Sequence, residues 1–396
     1  MQAPCVTITI HRSTHQIGGC VTEIATARAR AFVDFGSDLP GACAAEPPGP
    51  IDGLSRGDGS RSALFLTHGH CDHSGRLGEV LPGVPVYMGK TAKALHRNYA
   101  ARVRSADLAA IDDIREFREL DGIEIGDILV TPLMVDHSAF DSYMFLVDAC
   151  GRRILHTGDF RTHGFRGGRT FGMLAHRAKG VDWIVCENTA LSREGAPAMT
   201  ERELQSRARV LMKRSKHVFA LCASTNIDRI AAFYHANPAG RLFVCDEYQK
   251  AQLEAVRAGH ASRSRLYDFS RVYSYAPNLD APMERNGFCM LIKQDSASKK
   301  PLGMYKGRSA IIYSMWAGYL NGAQKSEALD ELLRGYEFEA LHTSGHASPA
   351  DLAELYRTVR PKSGLIPIHG ETPERFAQLI PDGKLTVLGD GETLEI

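Results

Sequence analysis

The stretch Thr67-His68-Gly69-His70-Cys71-Asp72-His73-Ser74-Gly75 constrains this chain more than any other, because it crowds four metal-binding side chains, His68, His70, Asp72 and His73, into six consecutive positions. It follows directly on the apolar run at 63–66. The histidines are therefore expected on a loop at a strand end, where neighbouring side chains converge instead of splaying as they would around a helix. Imidazole and carboxylate are preferred donors for zinc and similar divalent ions. Solvated histidines with Asp72 as a helix N-cap would explain each residue singly, but not their density. Cys71, between the ligands, reads as pointing away.

Hydrophobic patterning indicates two kinds of architecture. Residues 6–11, 20–26, 31–34 and 63–67 read as short strands between glycine-rich turns and 91–104 as a helix, while 123–135, 142–148 and 152–157 continue a large sheet. From about residue 200, helices at 201–214, 226–236 and 248–258 alternate with strands at 217–222 and 241–245, the rhythm of a parallel, doubly wound unit. Residues 270–307 are poorly patterned and precede a strand at 310–314 and a helix at 325–334. Strands at 337–341 and 364–368, with a helix at 349–359 between them, read as a return to the first sheet. The expected domains are thus a core of 1–199 and 336–396 with an insertion at 200–335. A chain of 396 residues is long enough for two cores.

No apolar run approaches the length of a membrane span, so no membrane partner is expected. Residues 1–10 alternate like a strand and lack the basic start and apolar core of a secretory leader. The cysteines (Cys5, Cys20, Cys43, Cys71, Cys150, Cys186, Cys222, Cys245 and Cys289) are scattered singly without a C-x-x-C pair, which suits a reducing cytoplasm and a role for most as small buried hydrophobes. Lys and Arg number 47 against 46 Asp and Glu, so the net charge of +1 excludes a global electrostatic case for nucleic-acid binding and any such contact must be local.

The H-x-H-x-D-H run resembles the signature of the metallo-β-lactamase superfamily, and further elements recur in that superfamily's order. Gly18-Gly19 before a strand and Asp34 in Phe32-Val33-Asp34-Phe35-Gly36 resemble its opening hairpin and first acidic motif. His137 in Asp136-His137-Ser138 and Asp159 in His156-Thr157-Gly158-Asp159-Phe160 resemble its third and fourth motifs. Each alone reads as a cap or a surface residue; in company they imply an αββα fold with two metal ions. In the family arrangement His68, His70 and His137 take one ion, Asp72, His73 and His369 the other, and Asp159 touches both. Asp34 would orient a ligand or accept from metal-bound water. Such a donor set suits zinc first and manganese second. Paired ions about 3.5 to 4 Å apart can hold a hydroxide and clamp both oxygens of a phosphodiester displacement.

His342-Thr343-Ser344-Gly345-His346-Ala347, followed by a helix and Leu365-Ile366-Pro367-Ile368-His369-Gly370-Glu371, resembles the β-CASP nucleases, the branch that includes ribonuclease J. Glu187 in Trp183-Ile184-Val185-Cys186-Glu187-Asn188-Thr189, His346 and His369 match three further motifs of that branch in order. By residue type alone His346 is equally a satisfied core histidine and His369 a turn residue before Gly370. With the resemblance, the catalytic set is Asp34, Asp72, Glu187 and His346. Glu187 would hold the His346 imidazole in one tautomer and favour its protonated form, suiting it to steady the scissile phosphate or protonate the leaving oxygen. Gly345 would allow close backbone approach to phosphate. Ser344 and Ser314 are candidate phosphate contacts against plainer turn and strand-end roles, and Trp316 or Tyr319 could stack a base or simply pack.

The expectation is therefore an α/β protein, an αββα metallo-β-lactamase fold with an inserted α/β β-CASP-like domain. It would hydrolyse phosphodiester bonds of single-stranded nucleic acid, RNA before DNA, using two divalent ions, zinc or manganese, as a monomer or homodimer. A small-molecule hydrolase of the same fold, acting on a thioester, lactone or phosphodiester, would suit the neutral charge but has no use for the insertion or the Glu187, His346 and His369 set. A non-catalytic subunit would be expected to lack ligands, and here every one is present.

Overall fold

The computed structural model describes residues 6–39, 49–192, 199–260, 262, 264–321 and 324–396. The chain divides into two compact units, one of Met1–Thr162, Arg166–Pro197 and Gly345–Ile396, the other of His163–Phe165 and Ala198–Ser344.

The first unit is built on two sheets. One has the strand order Glu392–Glu395, Thr7–Arg12, Val21–Ala25, Arg30–Val33, Ser62–Phe65, Val86–Gly89, Arg115–Phe117. The other runs Gly364–Ile368, Trp183–Glu187, Arg152–His156, Ser142–Ala149, Ile128–Val135, Ile123–Ile125. Alternate side chains point to opposite faces of a strand, so each sheet has an inner row to bury. Ile8, Ile10, Ile24 and Phe65 of the first sheet meet Val130, Phe145, Val147 and Ile366 of the second in one core. On its outer face the first sheet is covered by Ala92 and Ala100 of helix Lys90–Val103. The second is covered by Leu174 of helix Thr170–Arg177 and by Leu352 and Leu355 of helix Pro349–Val359. This is the αββα arrangement expected from the motif order. Ser348 starts helix Pro349–Val359 with a capping box to Asp351, which sets the chain direction immediately after His346.

The second unit carries an all-parallel sheet in the order Val272–Ser274, Leu242–Cys245, Phe288–Ile292, His217–Leu221, Ala310–Tyr313, Glu339–Ala340. Parallel strands are buried on both faces and read as continuous apolar runs. Phe288–Ile292 is such a strand, fully buried, and it lies inside the stretch read as poorly patterned. A second difference concerns Glu339–Ala340, expected to rejoin the first sheets at residue 336. It pairs instead with Ala310–Tyr313, and the first unit resumes at Gly345. Two exposed residues carry no hydrophobic pattern to choose a sheet, so the preceding helix Glu327–Leu333 decides, as the crossover between two parallel neighbours.

Cys20, Cys71, Cys186, Cys222, Cys245 and Cys289 are free thiols, all but Cys71 buried. Cys5 and Cys43 lie outside the described residues. Among the described residues no helix is long and apolar enough to cross a membrane.

Candidate metal centre

Strand Ser62–Phe65 delivers Thr67, His68 and His70 on a short loop, and the single turn Cys71–Ser74 swings Asp72 and His73 back over the same spot. The segment behind this turn has no room for a side chain at Gly36, where a Cβ would fall 1.7 Å from the Asp72 carbonyl oxygen. His137 and Asp159 follow the ends of strands Ile128–Val135 and Arg152–His156, and His369 follows Gly364–Ile368. Chain segments about 300 positions apart thus meet: His369 Nε2 is 3.3 Å from both His73 Nε2 and Asp72 Oδ2.

Two groups of donors result. His68 Nε2 and His137 Nε2 stand 3.1 and 3.3 Å from His70 Nδ1. His73 Nε2 lies 3.2 Å from Asp159 Oδ2, and the same oxygen is 4.0 Å from His68 Nε2 and 3.8 Å from His137 Nε2. Asp159 therefore stands where both groups can reach it. Its two carboxylate oxygens are buried and have no hydrogen-bond partner. A bare buried carboxylate is costly unless a cation compensates it. With five imidazoles and a second carboxylate around it, the donor set fits divalent metal.

In four of the five imidazoles the outer nitrogen is fixed by a partner, which leaves the inner one turned to the cluster. His68 Nδ1 donates to Thr67 Oγ1 at 3.0 Å, His73 Nδ1 to Asp34 Oδ2 at 2.7 Å, His137 Nδ1 to the Gly345 carbonyl at 2.6 Å and His369 Nδ1 to Thr189 Oγ1 at 2.7 Å. Such partners orient metal-binding histidines and set their tautomer. Asp34, at φ +63°, also accepts from the Thr67 amide at 2.7 Å, so it is a positioning residue, joined to His73 and not itself among the converging donors. His156 holds the Asp159 loop from beneath: its Nδ1 accepts from the Gly158 amide at 3.1 Å and its Nε2 meets Thr22 Oγ1 at 3.2 Å. Burial lowers its pKa to about 4, so it stays neutral there.

The protein's charges split the imidazoles. Burial, then the neighbouring histidines, hold His68 well below the usual histidine range; burial does the same to His137 and, less far, to His70. For His73 and His369 burial also acts downward, but it is outweighed, for His73 by Cys20, Asp159, Asp34 and Asp72 and for His369 by Asp159 and Cys20, so both are raised well above that range. Burial raises Asp72 and Asp159, yet His73 and His369 pull both below the ordinary carboxylate range. One side offers neutral donors outright, while the other must release protons to take a cation.

Glu187 and His346 adjoin this cluster. His346 Nδ1 donates to Glu187 Oε2 at 3.0 Å and lies 3.6 Å from Asp159 Oδ2. The other oxygen of Glu187 accepts the amides of Phe160 at 3.0 Å and Ala347 at 3.3 Å, so the acid is anchored before it meets the ring.

The expected substrate contacts fare differently. Ser314 lies in the second unit, buried, with its hydroxyl donating to the Leu341 carbonyl and accepting from Arg229 Nη1 at 2.6 Å, so it is spent on packing. At Gly345 a Cβ would fall 2.4 Å from Ser138 Oγ; its bareness serves the His137 loop. Ser344 offers its carbonyl to His163 Nε2 at 2.8 Å. Trp316 and Tyr319 pack edge to face, with centroids 5.5 Å apart. Sequence reasoning passed over Thr67, Thr189, Thr22 and the role of His156. Their only signal was position, a hydroxyl or ring beside a motif residue.

Comparison with known proteins agrees with this geometry. Residues 44–220 match the beta-lactamase superfamily domain and residues 336–387 the Zn-dependent metallo-hydrolase RNA specificity domain. Residues 44–220 thus carry a beta-lactamase superfamily domain, and the chain resembles the ribonuclease J members of the β-CASP branch. It is 24% identical to a ribonuclease J of Sinorhizobium meliloti over 85% of this chain and 62% of the relative, and 25% identical to one of Mycobacterium tuberculosis over 78% and 58%. A ribonuclease J of Helicobacter pylori is 22% identical over 96% of this chain and 59% of its own. The chain thus spans about three-fifths of the length of these relatives. A crystal structure of a protein of unknown function from Enterococcus faecalis V583 superposes with a TM-score of 0.80 at 22% identity, covering 99% of this chain and 100% of that one, and shares the fold.

Proposed function

We propose that this protein is a metal-dependent phosphodiesterase that cleaves single-stranded nucleic acid, RNA before DNA. The observation that carries the reading is the anchored Glu187–His346 pair at the edge of a cluster whose central carboxylate has no hydrogen-bond partner. His68, His70 and His137 would hold one ion, Asp72, His73 and His369 a second, and Asp159 both. The pair of ions supplies Lewis acidity and a nucleophile at neutral pH when bound. The chain's own residues do the rest. Thr67, Asp34, Thr189 and the Gly345 carbonyl keep the donor nitrogens aimed inward. Glu187 presents His346 with its Nε2 directed away from the carboxylate, where it can steady a phosphate oxygen or hand a proton to the leaving oxygen. Preference for RNA rests on the RNA specificity domain match over 336–387 and on the names of the relatives.

The test is to incubate the protein with 5′-phosphorylated and 5′-hydroxyl RNA, with DNA and with a generic phosphodiester, before and after chelation. RNA cleavage that disappears with the metal is the expected result. Full activity in metal-free protein, or turnover of the generic ester alone, would overturn the proposal.

A further inference from the structure

Cys20 stands in the metal cluster although no motif reading assigned it a part. Its Sγ is 3.8 Å from His73 Nε2, and the donor atoms of Cys20, His73 and His369 all lie within 4.8 Å of one another. The residue is buried, and its placement is built into the backbone: its amide donates to the Asp72 carbonyl at 3.0 Å, and the Gly36 amide donates to its own carbonyl at 3.0 Å. The thiol is thereby pinned to the turn that carries Asp72 and His73. The thiol also donates to Ser13 Oγ at 3.4 Å. A Zn–S bond of about 2.3 Å and a Zn–N bond of about 2.1 Å at a tetrahedral angle place sulfur and nitrogen roughly 3.6 Å apart. The observed spacing to His73 is close to that. The neighbouring Asp159 carboxylate, buried and without a hydrogen-bond partner, points independently to a cation at this place.

We infer that Cys20 is a thiolate ligand of the ion held by His73 and His369, and that this position accordingly takes zinc in preference to manganese. The inference rests on the two-metal reading and sharpens it. Sulfur is a soft donor that suits zinc, whereas a site of imidazole and carboxylate alone also accommodates manganese. Binding would release the thiol proton to solvent as the S–metal bond forms.

The experiment is to strip the full chain of metal, reload it with cobalt(II) and record its absorption. Thiolate coordination gives an intense sulfur-to-cobalt charge-transfer band in the near ultraviolet, while nitrogen and oxygen donors give only weak visible bands. The band is expected in the native protein and in Cys71→Ser, and lost in Cys20→Ser with the visible bands retained. Zinc affinity at one of two sites should fall by at least about 10- to 100-fold in Cys20→Ser, since loss of an outer partner alone has that effect. Cobalt bound by the native protein without a charge-transfer band overturns the ligand role of Cys20 and leaves the two-metal reading standing. A band that follows Cys71 and not Cys20 does the same. Failure to bind cobalt at all overturns both. Because the native spectrum decides, poor folding of a variant does not protect the inference.

Discussion

Each unit of this protein buries a carboxylate almost completely, and the two are treated in opposite ways. In the second unit Glu201 accepts Arg229 Nε at 3.1 Å and Nη2 at 2.9 Å, and the remaining guanidinium donors go to Ser314 and the Thr343 carbonyl. In the first unit Asp159 sits among imidazoles with neither oxygen hydrogen-bonded. Burial and charge are the same; satisfaction is not. A buried ion pair whose every donor is used stabilises its own surroundings, whereas a carboxylate left open among aimed nitrogens is arranged for something the chain does not supply. Ser314 illustrates the difference: by sequence it is a phosphate-contact candidate or a plain strand-end residue, and its hydroxyl completes the arginine's shell.

The sharpest way to break this contrast is at the edge of the open cluster. His346→Ala should keep both metals and lower turnover by roughly 10²- to 10⁴-fold, the worth of a positioned acid. Glu187→Gln should add little on top of it, because the two act as one unit. Metal analysis and single-turnover kinetics check both, and a variant that loses metal would make His346 a ligand instead. On the closed side, Glu201→Gln leaves Arg229 buried without its counter-charge and should cost about 3 to 5 kcal/mol in denaturant unfolding. Asp159→Asn in chelated protein should show the smaller change. Equal losses would erase the distinction.

Two further measurements probe finer grades. Thr189→Val removes the hydroxyl that fixes His369 and should weaken metal binding by about 10- to 100-fold, read by competition with a chromophoric chelator. Glu23 is another buried, partnered acid, bonded to Arg30 Nε at 2.6 Å and His11 Nε2 at 2.8 Å. Burial raises its pKa, but His11 and Arg30 outweigh that and lower it. Its unfolded value is about 4.3, so its contribution is present above that pH and is lost as acid passes through the depressed folded value. Glu23→Gln should therefore cost about 1 kcal/mol at neutral pH and nothing in strong acid. A difference that persists there would assign Glu23 a packing role.

Much of the site was legible because its inner residues belong to dense or ordered motifs. The run from His68 to His73 announces itself, and His137, Asp159, Glu187, His346 and His369 gain meaning from their order. What holds them was not legible. Thr67, Thr189 and the Gly345 carbonyl are ordinary strand-end groups until the fold aims a ring nitrogen at them, and Cys20 was one scattered cysteine among nine. In the fold, long periodic elements such as helix Glu201–Arg214 could be read at their full length. Glu339–Ala340 could not, since two exposed residues give no period and only pairing assigns their sheet. Phe288–Ile292 was readable as an apolar run after Gly287 and was lost in the irregular sequence around it.

The order in which the donors occur along the chain also has a temporal meaning. His68 to Asp159 are made early, strand Trp183–Glu187 follows, and the strand that pairs beside it and ends at His369 is synthesised only after the whole second unit. At ordinary rates of translation that interval is on the order of tens of seconds. During it the growing polypeptide has every proposed ligand except His369, and an open sheet edge at Trp183–Glu187. An ion captured then would meet an incomplete set of ligands, so on the two-metal reading the full donor set exists only once the strand ending beside His369 has been made.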